Sequence, residues 1–215
     1  MKEQQFQTGF WDRLAQEKEF KHPLSIEILA KYIPRSGKIL DLGCGYGRVL
    51  SVLFNSGYKR LIGLDPSPKM IERGLKENPQ LDLRVLKQKE LLFEDGSFDA
   101  VIVFAVLTCI PGDKDQEETV AEIYRVLRPG GIVYISDYFI QQDNRNRKRY
   151  EHFAAKYGRY GVFELDEGAL LRHLEPERFE KLISAFQRLE QYDFNIETMN
   201  SNPARAFQYI GRKAG

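Results

Sequence analysis

Along this chain short apolar runs alternate with stretches where apolar residues recur at helical spacing, and glycine, proline or small polar residues mark most junctions. Between Phe10 and Ile33 the positions Leu14, Phe20, Leu24, Ile28 and Leu29 follow a roughly helical period, broken at His22-Pro23. Proline cannot continue a helix, so two short helices are expected there. Lys38 to Leu42 reads as a brief strand, followed by a glycine-rich turn and a helix from about Arg48 to Asn55, which Ser56-Gly57 ends. The unit repeats as strand Arg60 to Leu64, turn Asp65-Pro66-Ser67 and helix Pro68 to Glu77, with a third strand near Leu83 to Leu86. Phe98 to Leu107 is apolar almost throughout, as a strand buried on both faces must be, and so predicts the centre of a sheet. Helix Gln116 to Leu127 is closed by Arg128-Pro129-Gly130-Gly131, and Ile132 to Tyr138 forms the next strand.

From Gln141 to about Leu174 this rhythm breaks. The segment carries the basic run Arg145-Asn146-Arg147-Lys148-Arg149 and then a hairpin pattern through Val162 to Leu171, and it reads as an insertion. Order returns with helix Pro176 to Ala185, strand Leu189 to Thr198, turn Asn200-Ser201-Asn202-Pro203 and strand Ala204 to Arg212. Strands joined by so short a turn are antiparallel. Elsewhere, alternating strands and helices imply right-handed crossovers and a doubly wound α/β sheet. Residues 1–215 read as a single domain, with an N-terminal helical cap at about 6–34 and the insertion at about 141–174 as a lid.

Composition narrows the function classes. Thirty-two Lys and Arg against 31 Asp and Glu leave a formal charge of +1, so no overall field draws the protein to nucleic acid or an anionic membrane. Met1-Lys2-Glu3-Gln4-Gln5 leads into a charged stretch with no long apolar run, so neither a signal peptide nor a membrane span is expected. Cys44 and Cys109, the two cysteines, lack the spacing of a disulfide framework or zinc site, and a reducing cytoplasmic setting fits them best. No His-x-x-x-His, Cys-x-x-Cys or dense carboxylate cluster occurs, and no metal is expected.

The chemistry begins at Asp41-Leu42-Gly43-Cys44-Gly45-Tyr46-Gly47. Ligands of open α/β sheets bind beyond the carboxyl ends of the strands, and glycine lets backbone approach them where a Cβ would clash. Asp65 ends the second strand, placed to accept hydrogen bonds from both hydroxyls of a ribose, which implies an adenosine ligand. The dinucleotide fingerprint G-x-G-x-x-G would need glycine at position 48, where this chain has Arg48. No Gly-Lys-Ser or Gly-Lys-Thr occurs, which excludes a nucleoside triphosphate loop. Asp41 also reads as an ordinary helix-facing acid, and Asp65 as an N-cap for the helix after Pro66. Asp99 reads as a turn-stabilising acid outside the site.

On these residues the chain resembles the class I S-adenosylmethionine-dependent methyltransferases of the small single-domain type. Four segments carry the resemblance in order: Ile39 to Arg48, Leu61 to Gly74, Glu94 to Val101 and Arg125 to Gly131. The resemblance implies a seven-stranded, mostly parallel Rossmann-like sheet with an antiparallel C-terminal strand and helices on both faces. It implies S-adenosylmethionine as the cofactor, with Asp41 and the backbone of Gly43, Cys44, Gly45 and Gly47 around its methionine moiety. Asp65 would hold the ribose, and Pro66 and Met70 would flank the adenine. Lys87-Gln88 stands where the family often has Asp-Ala near the adenine amino group. Lysine accepts no hydrogen bond, so the Gln88 carbonyl or backbone is the expected contact. Phe104 is placed at the same site, and with Trp11 and Tyr138 it suggests an aromatic, largely apolar pocket for a small-molecule acceptor.

Methyl transfer from a sulfonium is an in-line displacement, for which a protein supplies alignment, desolvation and, when needed, a base. Of the three histidines, His22 and His173 are the candidate bases, reaching the pocket from the cap and from the insertion. His22 reads equally as a capping or solvent-facing residue, and His152 as exposed. Phe104-Ala105-Val106-Leu107 replaces the Asn-Pro-Pro-Tyr or Asp-Pro-Pro-Tyr of amino-group methyltransferases, and no Pro-Cys nucleophile follows. Two alternatives remain: a catalytically silent cofactor-binding partner protein, and an RNA-directed methyltransferase using Arg145 to Arg149. The basic run reads first as the solvated face of a lid helix. Oligomeric state and acceptor identity are not legible.

Overall fold

Successive side chains of a strand face opposite ways, so a strand apolar at every position must be covered on both sides. The computed structural model, which describes residues 7–215, shows how this chain does so. Residues 1–6, with the expectation for Met1 to Gln5 and the first residue of the cap, lie outside the described residues.

In chain order the elements are helices α1 (Thr8–Leu14) and α2 (Ile26–Tyr32), strand β1 (Lys38–Leu42), helix α3 (Arg48–Asn55), strand β2 (Arg60–Asp65), helix α4 (Pro68–Glu77) and strands β3 (Asp82–Val85) and β4 (Phe98–Phe104). There follow α5 (Asp113–Val126), β5 (Leu127–Tyr138), α6 (Asn144–Tyr157), a hairpin of β6 (Val162–Glu164) and β7 (Leu170–Arg172), α7 (Pro176–Leu182), β8 (Phe186–Glu197) and β9 (Pro203–Lys213). Seven strands form one sheet in the order β3-β2-β1-β4-β5-β9-β8. The first five are parallel, β9 runs antiparallel to β5, and β8 pairs antiparallel with β9. The expected mostly parallel sheet with an antiparallel C-terminal strand is what forms.

The core divides by side-chain parity. Val101 and Val103 of β4 face a cluster that includes Val120 and Ile123 of α5 and Phe179 of α7. Ala100, Ile102 and Phe104 face the other cluster, with Leu50 and Leu53 of α3, Ile71 of α4 and Leu29 of α2. The strand is shorter than its apolar run predicts. It stops at Phe104, Ala105 takes a φ of 55°, and a 3-10 turn at Leu107–Cys109 carries the chain across the sheet end. No helix among the described residues is long and apolar enough to cross a membrane.

The segment after β5 leaves and rejoins the sheet at one point. Leu174 N donates to Tyr138 O at 3.0 Å, and Ile140 N donates to Leu174 O at 3.0 Å, so residues 141–173 form a closed excursion beyond the strand ends. Helix α1 packs on its hairpin through Phe10, Leu14 and Ala169. The Gln7 side chain is stitched to Leu170, donating to its carbonyl at 2.7 Å and accepting from its amide at 2.6 Å.

One carboxylate ties the excursion to the main body. Asp113, at the start of α5, accepts from Arg159 and Arg172 and lies 3.5 Å from Arg178. These hydrogen bonds hold its carboxyl well below the usual range, while the Arg172 side chain is only 2% exposed. Removing the charge leaves a buried guanidinium short of its partner, an expensive arrangement. Because Asp113 itself is partly exposed, Asp113→Asn is expected to cost about 1–3 kcal/mol in urea unfolding at neutral pH. An unchanged midpoint would show that the cluster does not hold the excursion down. The contribution exists above the ordinary carboxylate pKa and is lost as pH falls through the depressed one.

Candidate active site

The turn after β1 is held by backbone hydrogen bonds, with neighbouring side chains packed close against its glycines. Gly43 N and Cys44 N both donate to Leu64 O, at 2.7 and 3.0 Å, pinning the turn to the end of β2. Asp65 completes it: Oδ2 accepts from Gly45 N at 2.9 Å and Oδ1 accepts from Ser67 N at 2.8 Å. The helix N-cap is therefore not Asp65, because Ser67 fills that role, its hydroxyl accepting from Met70 N at 3.1 Å. Gly45 has a φ of 55°, and a Cβ there would lie 3.2 Å from the Phe20 ring.

Asp41, Gly43, Cys44, Gly45, Asp65, Pro66, Met70 and Phe104 line a cavity of about 240 Å³ beyond the strand ends. Two residues expected with them are absent from its wall. Gly47 opens α3 with a φ of 79°, and a Cβ on it would meet Leu83 of β3 at 3.0 Å, so its constraint is helix entry and packing. Gln88 is exposed, because the chain leaves the sheet after Val85. Leu86 N donates to Asp65 O at 2.8 Å, so Leu86 takes the cavity wall in place of Gln88. Lys89 lines it too, its ammonium held by Asp115 and Glu118 of α5.

Burial sets the electrostatics. Asp41 faces the cavity from β1, not a helix, and its Oδ2 is buried with no partner among the described residues. Desolvation pushes its carboxyl up to about 7, with Arg48 opposing the shift. Burial likewise raises Asp65 to about 6, against the two backbone amides that favour its anion. Asp99 stays outside, as expected, accepting from Lys38 N at 2.7 Å and from Arg128.

Both candidate histidines line this cavity, and His152 is exposed. His22 is 5% exposed, its Nδ1 lies 2.8 Å from Ser136 Oγ, and its Nε2 is buried without a partner among the described residues. Its carbonyl accepts from Arg48 at 2.5 Å. Burial, then the Arg48 charge, lowers the imidazole to about 4. His173 Nδ1 lies 2.5 Å from Tyr150 Oη, and burial lowers this imidazole to about 3. Tyr138 stands between them: its ring is 4.8 Å from His22, edge-on, and 5.3 Å from His173, stacked.

Several lining residues had no part in the expected site. Val106, Thr108 and Cys109 enter where the chain turns after β4, and Thr198 to Asn200 where β8 turns to β9. The basic run is split: buried Asn146, half-buried Arg149 and the exposed Arg145 line the cavity, while Arg147 and Lys148, also exposed, line none of it. The signal was available. Asp143 caps α6, accepting from Asn146 N, and helical spacing from Asn146 through Arg149 to Tyr150 marks an inward stripe. Trp11 also lines the cavity, packed edge-on against Phe10 and Phe20.

Comparison with known proteins agrees with this architecture. Residues 40–135 match the family described as "Methyltransferase domain". An uncharacterized methyltransferase of Synechocystis is 35% identical over 116 residues, spanning 54% of this chain and 53% of that protein. The eEF1A lysine and N-terminal methyltransferase of Mus musculus is 29% identical over 115 residues, 49% of this chain and 16% of its own. The chain thus matches about half of one relative and a small part of the other. A crystal structure of a SAM-dependent methyltransferase from Methanosarcina mazei superposes with a TM-score of 0.84 at 24% identity, covering 90% of this chain and 99% of that one. With the glycine turn, the acid ending β2 and this strand order, residues 40–135 are similar to the S-adenosylmethionine-dependent methyltransferases, in agreement with the resemblance carried by the sequence.

Proposed function

We propose that this protein transfers a methyl group from S-adenosylmethionine to a small-molecule acceptor by in-line displacement. The observation that carries the reading is a single lined cavity that presents an unpartnered buried carboxylate oxygen on Asp41 and an unpartnered buried nitrogen on His22. Buried polar groups are nearly always satisfied, so both call for a ligand.

The residues present fit the cofactor. Asp41 would accept from its ammonium group, and Asp65, with lone pairs to spare beyond Gly45 and Ser67, would accept from ribose hydroxyls. Gly43 and Gly45 allow close backbone approach, and Pro66 and Met70 offer an apolar wall for the adenine. When bound, the cofactor supplies a methyl group on a sulfonium: the acceptor lone pair bonds to the methyl carbon as the carbon–sulfur bond breaks and sulfur keeps the pair. The work of the chain is to align the acceptor and exclude water. If His22 donates its Nδ1 proton to Ser136 Oγ, the Nε2 lone pair receives a proton from the acceptor, and the depressed pKa keeps the ring neutral at neutral pH. His173 serves as a second polar group on the same wall. Helix α1, α6 and the β6–β7 hairpin act as the lid, which favours a small acceptor over a folded one.

A protein acceptor is the second reading, favoured by the name of the mouse relative. The RNA reading loses two of its cations, Arg145 and Arg149, to the cavity wall. A catalytically silent partner protein would bind the cofactor without turnover on any acceptor in a broad panel.

Isothermal titration of S-adenosylmethionine and S-adenosylhomocysteine tests the reading, and no binding of either at about millimolar concentration would reject it. Asp65→Asn is expected to weaken binding by about 1–3 kcal/mol, with the melting temperature measured as a folding control. Because the ligand favours the ionised carboxylates, affinity is full above the raised pKa values. It falls as pH drops through about 7 and then about 6, the values of Asp41 and Asp65. A flat profile between about pH 5 and pH 7 would remove both acids from the site. For an acceptor that must lose a proton, His22→Leu should lower kcat on the order of 10²-fold while cofactor affinity stays within about twofold. Undiminished turnover in that variant would reject His22 as the base.

A further inference from the structure

A row of rings runs across the cavity from the sheet to α6. From His22 it passes to Tyr138 at 4.8 Å, to His173 at 5.3 Å and to Phe163, whose ring lies 4.9 Å from His173. At its far end the Arg149 guanidinium carbon sits 3.4 Å from the centre of the Phe163 ring. Arg145 is one helical turn earlier on the same helix and also lines the cavity.

Most other charges at this cavity sit in ion pairs. Lys21 pairs with Glu197 at 2.5 Å, Lys89 with Asp115 and Glu118, and Glu122 with Arg125 at 2.8 Å. Arg48 donates to the His22 carbonyl and lies near Asp41, and Asp65 holds two backbone amides. Arg145 and Arg149 form no ion pair among the described residues. Arg149 donates to the Asn146 side-chain oxygen, but its Nε is buried with no partner among the described residues. Burial disfavours its charged form, since a half-buried cation stacked on a ring is only partly compensated.

We propose that the acceptor carries an anionic group, a carboxylate or a phosphate, which Arg149 receives with Arg145 beside it while the body of the acceptor lies along the ring row. Guanidinium is suited to this task, because its planar fork pairs with either oxyanion through two hydrogen bonds. The assignment rests on the methyl-transfer reading and specifies its acceptor. It also accounts for the split of the basic run, of which Arg145 and Arg149 line the cavity and Arg147 and Lys148 do not.

The test is calorimetry on the whole chain saturated with S-adenosylhomocysteine, with benzoate, phenyl phosphate and benzamide as probes. Benzoate or phenyl phosphate, whichever matches the true group, is expected to bind at least about tenfold more tightly than neutral benzamide, and the tighter of the two identifies the oxyanion. Arg149→Gln should abolish that preference and Arg149→Lys should keep part of it. The exposed pair Arg147→Gln and Lys148→Gln should leave it unchanged. Retained affinity for S-adenosylhomocysteine shows that each variant is folded. If S-adenosylhomocysteine binds but neither anion is preferred over benzamide, or the preference survives Arg149→Gln, the anion assignment fails and the methyl-transfer reading stands. If S-adenosylhomocysteine does not bind, that reading falls and the assignment falls with it.

Discussion

The carboxylate of Asp65 joins three parts of this protein that are far apart in sequence. It is buried at the end of β2, with one oxygen on the Gly45 amide of the turn after β1 and the other on the Ser67 amide that opens α4. An ionised carboxylate is strained by such burial, and the two amides offset only part of the cost, which leaves its pKa raised. The glycine turn can thus form beside the end of β2, and the group that shapes the turn also faces the cavity. The hydrogen-bonding capacity that shapes the turn is thereby also turned toward the cavity.

Burial governs the remaining polar groups of the cavity as well. His22 and His173 sit among aromatic rings, and low polarity lowers both imidazoles below neutrality. They contribute lone pairs and N–H groups, not charge. Positive charge on the lid side of the cavity comes instead from α6, from the half-buried Arg149 and the exposed Arg145. A neutral polar wall near the sheet and a cationic edge at the lid give the cavity a direction.

That direction depends on where the excursion after β5 lies. Its path is fixed by the Tyr138–Leu174 backbone contacts at the exit, by the Asp113 cluster along α5 and by the Gln7 stitch to Leu170. These contacts are polar and partly exposed, unlike the apolar packing that fixes the sheet. Elements covering a site are expected to come from the less stable part of a fold, because a ligand must pass them.

The sequence by itself determined the parallel sheet, the glycine turn and the acids Asp41 and Asp65, because each leaves a local mark. Short continuous apolar runs, helix caps and the glycine demanded by positive φ are set by residues a few positions apart. The outward turn of Gln88, the packing role of Gly47 and the stacking of Arg149 on Phe163 were decided by tertiary structure. Their side chains answer to partners far along the chain: the end of β2, Leu83 of β3 and Phe163 of the hairpin. Only the folded chain fixes those distances, since side-chain direction and pairing depend on neighbours that sequence spacing does not bring together.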